Sequence, residues 1–443
     1  MGHSVLADSV GTIATKFAAR AANLLVFAVL AHKLSLSEFG IYGYVATMSL
    51  LITTALDFGT RHSIGYYLPR SPGLEQAIRL QALVWAAVLS CSGAVGFYYF
   101  LKLLVPEFSS PSILLPASLV VPGMLCIRIE QGVLLGQGRI KEYNASETWP
   151  RSLLLLGTFG TLALGVITVE VALWTLAASY NLAAIRVVAM NPMRRSPGLP
   201  SADLYRSFFR ILKRGAIYFP GIVLMVASKR VNAVIVQDML GSEAMGVFYG
   251  VTRLSEVFSE VALAVGVALF SHNARNANSQ SAILETAKVA RISMTFLAIA
   301  SLFAIAFAPL IVRLMLGAEY AEYNNVFRVA VISTLVGALW NMMMPVLYTS
   351  DRPMLGFWLF LPGVTLNLVL SLIGVRYYGI AGAVYALLAS QVVVSAGYMV
   401  ACNRIYGLRP TSILIVSRAE LAELAGKVTG RITRRLPRKK KDG

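Results

Sequence analysis

Apolar residues run through this chain in helix-length blocks, not in the alternating pattern of strands or the one-sided stripe of a surface helix. Twelve blocks recur, at about 10–31, 42–60, 80–101, 113–135, 150–168, 171–190, 216–236, 246–270, 290–312, 327–348, 355–374 and 380–401. Each is close to the roughly 20 residues that an α-helix needs to cross about 30 Å of hydrocarbon. The pattern predicts an all-α, polytopic integral membrane protein with twelve transmembrane helices. The first block reads as a retained span: it is long, carries charge and lacks a small-residue cleavage site.

The blocks divide six and six at Met190–Gly215, where Asn191-Pro192, Arg194-Arg195, Pro197-Gly198 and Pro200 interrupt the apolar run. The expected organisation is a first lobe over 1–195, a basic cytoplasmic linker over 196–214, a second lobe over 215–404 and a basic tail over 405–443. A local echo points to duplication. Leu34-Ser-Leu-Ser-Glu-Phe-Gly40-Ile-Tyr42 resembles Leu240-Gly-Ser-Glu-Ala-Met-Gly246-Val-Phe248, each in the loop joining the first two helices of its half. With an even number of helices per half, the repeats run in the same orientation, around a central cavity that opens by rocking one half against the other. In the tail, Leu421, Leu424, Val428 and Ile432 alternate with cations and precede Arg438-Lys-Lys-Lys441. That reads either as an interfacial helix on anionic lipids or as a solvated, topology-fixing tail.

The composition agrees: of 443 residues, 57% are hydrophobic and 14% charged, where a soluble domain is nearer half apolar and about a quarter charged. The formal net charge of +18 raises nucleic acid as a partner, but the cations lie in alternate loops and the tail. Arg70, Arg79, Arg139, Lys141, Arg206, Arg210, Lys213 and Arg214 lie between blocks on one side, whereas the opposite loops carry Glu107, Glu170, Asp238, Glu243, Glu319 and Glu322. The positive-inside rule then places both termini in the cytoplasm. Cys91, Cys126 and Cys402 lack metal or disulfide spacing, and no GxxxxGK[ST] or HExxH occurs. With only short extracytoplasmic loops, the chain is expected not to be an enzyme.

Charges inside the apolar blocks carry the chemistry, because an Arg or Lys at the centre of a membrane helix costs about 2.5–3.5 kcal/mol. Lys16, Arg20 and Asn23 share one helical face that Phe27 continues. Lys16 either snorkels to headgroups or joins Arg20 at a cavity. Lys229 and Arg230 interrupt the seventh block and point about 100° apart, so one can face the centre while the other pairs within its own half. Arg253, Glu256 and Glu260 share a face of the eighth block, as an internal ion-pair ladder, as partners for Lys229 and Arg230, or as proton-exchanging carboxylates. Thr53, Asp57 and Arg61 share a face of the second, with Asp57–Arg61 a local pair or a gate. Arg128, Glu130, Gln131, Asn341 and Asn367 are weaker candidates.

The motifs taken in order resemble the polysaccharide flippases of the Wzx type. The resemblance rests on Leu34–Tyr42 followed by Leu56-Asp57-Phe58-Gly59, Leu240–Tyr249, Leu316-Gly-Ala-Glu-Tyr-Ala-Glu-Tyr323, Ser350-Asp-Arg-Pro353 and Tyr378–Ala383. That family sits in the MOP superfamily with MATE drug exporters and lipid II flippases. The resemblance implies two six-helix lobes around a V-shaped cavity. It also implies transfer of an undecaprenyl-pyrophosphate-linked oligosaccharide from the inner to the outer leaflet of a bacterial inner membrane, driven by an ion gradient (H+ or Na+) and without a bound cofactor. Implied partners are the lipid-linked substrate, membrane lipids and a polysaccharide polymerase. Lys16, Arg20, Arg61, Lys229, Arg230 and Arg253 match the positions where such flippases carry cavity cations. The rival readings are a MATE-like exporter of cationic drugs, disfavoured by cations in the first helix, and an integral glycosyltransferase.

Overall fold

The computed structural model describes residues 20–71, 73–191, 201–275, 280–348 and 354–408, with side chains described except at 106, 201–207, 258–286, 289 and 345–348. Lys16, the amphipathic tail and the Glu260 side chain lie outside the described part. The helices are α1 (20–33), α2 (Leu36–Leu56), α3 (Thr60–Tyr67), α4 (Glu75–Leu104), α5 (Pro111–Gly136), α6 (Ile140–Ala163) and α7 (Val169–Ala189). They continue as α8 (Ser201–Arg275), α9 (Gln280–Ala306), α10 (Ala308–Met315), α11 (Asn324–Tyr348) and α12 (Leu355–Tyr406). No strand occurs among the described residues.

Seven helical stretches in the described part are long and apolar enough to cross a membrane, eight if the bent pair α9–α10 counts as one span. Large apolar side chains such as Leu103, Leu156, Leu164 and Ile185 turn outward and are exposed, as a bundle solvated by lipid requires. The chain is a multi-pass membrane protein.

Sequence-local chemistry sets where the helices begin and bend. Ser35 caps α2: its Oγ accepts from the Glu38 N–H while the Glu38 carboxylate accepts from the Ser35 N–H at 2.9 Å, a reciprocal capping box. Thr168 caps α7 through the Val171 N–H. Gly241 (φ 80°) and Gly379 (φ 57°) break α8 and α12 each into two arms, in a backbone region open mainly to glycine. Three expectations change. The ninth block is not one straight helix, because it bends by 80° between α9 and α10. The second block breaks at Phe58 and Gly59, both with positive φ. The stretch read as a linker is helical from Ser201, the start of α8.

In the first half α5 packs on α4 and α7, and α7 on α6; in the second α8, α11 and α12 pack on one another, and α2 lies along α8. The two echoing motifs touch where α2 meets the second arm of α8. A methyl group built on Gly40 would overlap the Ser242 carbonyl and lie 2.8 Å from the Gly246 nitrogen. One built on Gly246 would overlap the Leu36 carbonyl and lie 3.2 Å from the Gly40 nitrogen. The contact is reciprocal, each glycine abutting the residue four positions before the other. Glu107, from the α4–α5 turn, reaches the same place and accepts from Gln237 at 3.0 Å and from Ser242. At the other end of α2, Gly59 lies against the Gly215 carbonyl and the Phe58 and Phe219 rings stand 4.7 Å apart.

Arg79, read from the sequence as a loop cation, is instead buried in α4. Its side chain meets the Glu130 carboxylate of α5 at 3.0 Å, both 1% exposed, and donates to the Val188 carbonyl at 3.2 Å. The loop count was misleading because the α4 helix starts at Glu75 and turns Arg79 inward.

Three expectations follow for thermal unfolding of the purified protein. Gly40→Ala or Gly246→Ala forces the α2–α8 crossing apart and costs about 1–3 kcal/mol, the usual range for overpacking. Gly96→Ala, with nothing near its Cβ, is neutral or stabilising by up to about 1 kcal/mol. Glu130→Ala strands the Arg79 charge and costs about 3–5 kcal/mol, whereas replacing both partners with leucine costs less.

Candidate functional site

The α1 face that carries Arg20, Asn23 and Phe27 looks toward the second half. Phe27 packs on Phe39 at 5.6 Å and on Tyr249 of α8 at 6.2 Å, and Phe39 meets Tyr249 at 5.3 Å. Asn23 and Arg20 are half-buried, one and two turns back along the same face. These aromatic rings mark the seam between α1–α2 and α8.

Next to this seam lies a shared carboxylate. Glu256, on the second arm of α8, receives both prongs of Arg230 from the first arm, Nη1 to Oε1 at 2.9 Å and Nη2 to Oε2 at 3.0 Å. Arg253, one turn before it, donates to Oε2 at 2.8 Å. Arg253 lies one turn after Tyr249, which packs on Phe27 and Phe39 of the first half, so the cluster borders that half. Of the open readings, Glu256 is therefore partner to both Arg230 and Arg253. Two-pronged grips of this kind are the strong form of arginine–oxyanion contact.

Lys229 points elsewhere, as its 100° offset from Arg230 requires. Its ammonium lies 4.9 Å from the centre of the Trp340 ring of α11, a cation–π contact. It lines a small cavity of about 30 Å³ with Glu256, Thr252, Ser255, Ser333, Thr334, Gly337, Leu387 and Gln391. Trp340 Nε1 donates to Gln391 Oε1 at 2.7 Å, which leaves Gln391 Nε2 buried without a hydrogen-bond partner. One turn along, the Asn232 amide donates to Asn367 Oδ1 (2.8 Å), Ser371 Oγ (2.7 Å) and the Ala383 carbonyl (2.9 Å), joining α8 to both arms of α12. This buried network is a helix bridge.

The second-block stripe does not survive the helix break. An i, i+4 pair between Asp57 and Arg61 needs one continuous helix, but the chain turns at Phe58–Gly59. Asp57 instead caps α3, accepting from the Thr60 hydroxyl at 2.8 Å and the Arg61 N–H at 3.0 Å, while Arg128 of α5 approaches its other oxygen at 3.7 Å. The Arg61 guanidinium donates to the Tyr143 hydroxyl at 2.5 Å, and that hydroxyl donates to Glu147 at 3.1 Å. Arg61 and Asp57 thus form a cluster with α5 and α6, away from Arg230 and Lys229. Glu130 and Gln131 are structural in the same way, held by Arg79 and by Ser146.

Sequence reasoning missed Trp340, Gln391, Tyr143 and Tyr249. Trp340, Gln391 and Tyr249 are aromatic or amide residues in apolar blocks, and Tyr143 lies between two blocks at the start of α6. For Tyr249 a signal existed, since it closes the Leu240–Tyr249 stretch that carries the family resemblance.

No protein-family model matches the chain, and no curated protein sequence matches it. Solved structures do. The lipid II flippase MurJ in an inward closed conformation is similar at TM-score 0.72 with 12% identity, covering 96% of this chain and 93% of that one. An inward-facing multidrug-resistance MATE transporter of the MOP superfamily is similar at 0.67 with 13% identity, covering 87% and 94%. A MOP-superfamily transporter from Pyrococcus furiosus, described as having a binding pocket of reversed polarity that suggests a different function, is similar at 0.52 with 14% identity, covering 89% and 93%. At such identities the likeness is one of fold: this chain has the all-α fold of the MOP-superfamily transporters.

Proposed function

We propose that this chain is a flippase that carries an undecaprenyl-pyrophosphate-linked oligosaccharide from the cytoplasmic to the outer leaflet of a bacterial inner membrane, for surface polysaccharide assembly. The observation that carries this reading is the charge at the seam. Arg230 and Arg253 grip Glu256 beside it, Lys229 lines the cavity next to Glu256, and Arg20 lies on the α1 face that Phe27 continues to the seam. A pyrophosphate leaving water needs cations in place of its hydration shell, and its lipid tail can stay in the bilayer. Arginine supplies a fork of donors and lysine a point charge.

In this reading the two halves are six-helix lobes, both termini are cytoplasmic, and the Gly40–Gly246 crossing closes the outer end. Rocking the lobes apart there would release the headgroup outward. The resting form would be the inward one. The closed crossing supports this, and so does the better fit to an inward-facing MATE than to an outward-facing one, 0.67 against 0.56. A proton or sodium gradient would drive the cycle, and a glycan polymerase would take the product.

A second reading, a MATE-like exporter of cationic drugs, is favoured by the fold alone. A cationic cargo would gain nothing from the arginines and the lysine gathered there.

Neutralising Arg20 and Lys229 together (Arg20→Gln with Lys229→Gln) is expected to lower cell-surface polysaccharide at least about tenfold, since hydrogen bonds to charged groups are worth about 1.5–3 kcal/mol each. The comparison is made at equal protein level in the membrane, with export of cationic dyes as the second readout. Unchanged polysaccharide would remove the flippase reading, and lost dye export would favour the exporter.

A further inference from the structure

We propose that Glu256 is the internal counter-anion of a phosphate-binding site. Arg230 and Arg253 hold it while cargo is absent; an arriving phosphoryl group takes its place, and the carboxylate turns to Lys229 and Gln391. This rests on the reading that an anionic headgroup passes the seam.

The first support is the shape of the grip. Arg230 presents both prongs and Arg253 a third donor to a single carboxylate, at 2.8–3.0 Å. The same three donors suit the tetrahedral oxygens of a phosphoryl group, which carries more charge than the carboxylate it would replace.

The second support is access. The Arg79–Glu130 pair between α4 and α5 is sealed, both partners at 1% exposure. Glu256 is 15% exposed and its arginines 14% and 28%, and it forms part of the wall of a cavity. A sealed pair ties helices together; a pair on a cavity wall can be exchanged.

The third support is a landing place. The cavity beside Glu256 is lined by Lys229, Thr252, Ser255, Ser333, Thr334 and Gln391. Gln391 is 2% exposed, its oxygen is taken by Trp340, and its amide nitrogen lacks a partner. An unpartnered buried donor is costly unless something fills it in another state. A carboxylate that swings there gains that donor and stays beside a cation, so no charge is left uncompensated in the membrane.

Binding of inorganic pyrophosphate to the purified protein by calorimetry tests this. Glu256→Gln removes the competing anion and should bind pyrophosphate about tenfold more tightly than the natural protein. Gln391→Leu should weaken binding in the natural background and have no effect in the Glu256→Gln background. Equal or weaker binding by Glu256→Gln, or the same loss from Gln391→Leu in both backgrounds, overturns the proposal. If Glu256→Gln is too unstable for calorimetry, its melting temperature decides. A larger rise with pyrophosphate than the natural protein shows supports exchange; a rise no larger, or no folded protein even in pyrophosphate buffer, overturns it. The assay involves neither glycan nor leaflet. Exchange without a polysaccharide defect in the Arg20/Lys229 variant would keep this switch and remove the flippase reading, and the opposite results would do the reverse.

Discussion

A charge inside a lipid-solvated bundle must be stabilised where it stands, by an opposite charge, a hydrogen bond or an aromatic ring, and the polar contacts of this protein follow from that constraint. Because the partner usually sits on another helix, each such contact is also a tie. Arg79–Glu130 joins α4 to α5, Arg128–Asp57 joins α5 to the end of α2, and Arg61–Tyr143 joins α3 to α6. Breaking any such pair costs more than making it gains, since it strands a charge. The pairs therefore fix which helices may neighbour one another. The Glu256 cluster obeys the same rule but closes within α8, across its break at Gly241.

That break connects charge to movement. The glycine that lets α8 fold back as two arms also brings Arg230 of one arm against Glu256 of the other. It lies beside Ser242 and Gly246, which meet α2 backbone to backbone. Small residues at a membrane crossing exchange side-chain packing for close main-chain approach, giving a contact that is tight yet narrow. With Phe27, Phe39 and Tyr249 filling the space behind it, the crossing has the form of a pivot.

The helices themselves were legible because apolar blocks of span length have few other uses, and the breaks at Gly241 and Gly379 fall between blocks. What periodicity cannot show is direction after a bend. Asp57 and Arg61 align only on an unbroken helix, so two residues with positive φ were enough to separate them. Arg79 was misread for a related reason, since a tally of loop cations records position and not the way a side chain turns. The echo of Leu34–Tyr42 in Leu240–Phe248 was visible, yet that the two copies touch through Gly40 and Gly246 is a tertiary fact. Trp340 and Gln391 were invisible: in an apolar block, tryptophan and glutamine look like packing until a lysine from another helix is found beside them.

Lys229 and the arginines are stabilised by different means, and the difference bears on function. A carboxylate cancels the charge of its partner, whereas an aromatic ring attracts a cation through its quadrupole and leaves the net charge unchanged. Lys229 over Trp340 and Arg61 over Tyr143 are contacts of the second kind. Around Glu256 the described contacts set Arg230 and Arg253 against one carboxylate and Lys229 against an aromatic ring. Aromatic support in place of ionic support is how a bundle can hold a cation inside the membrane without neutralising it.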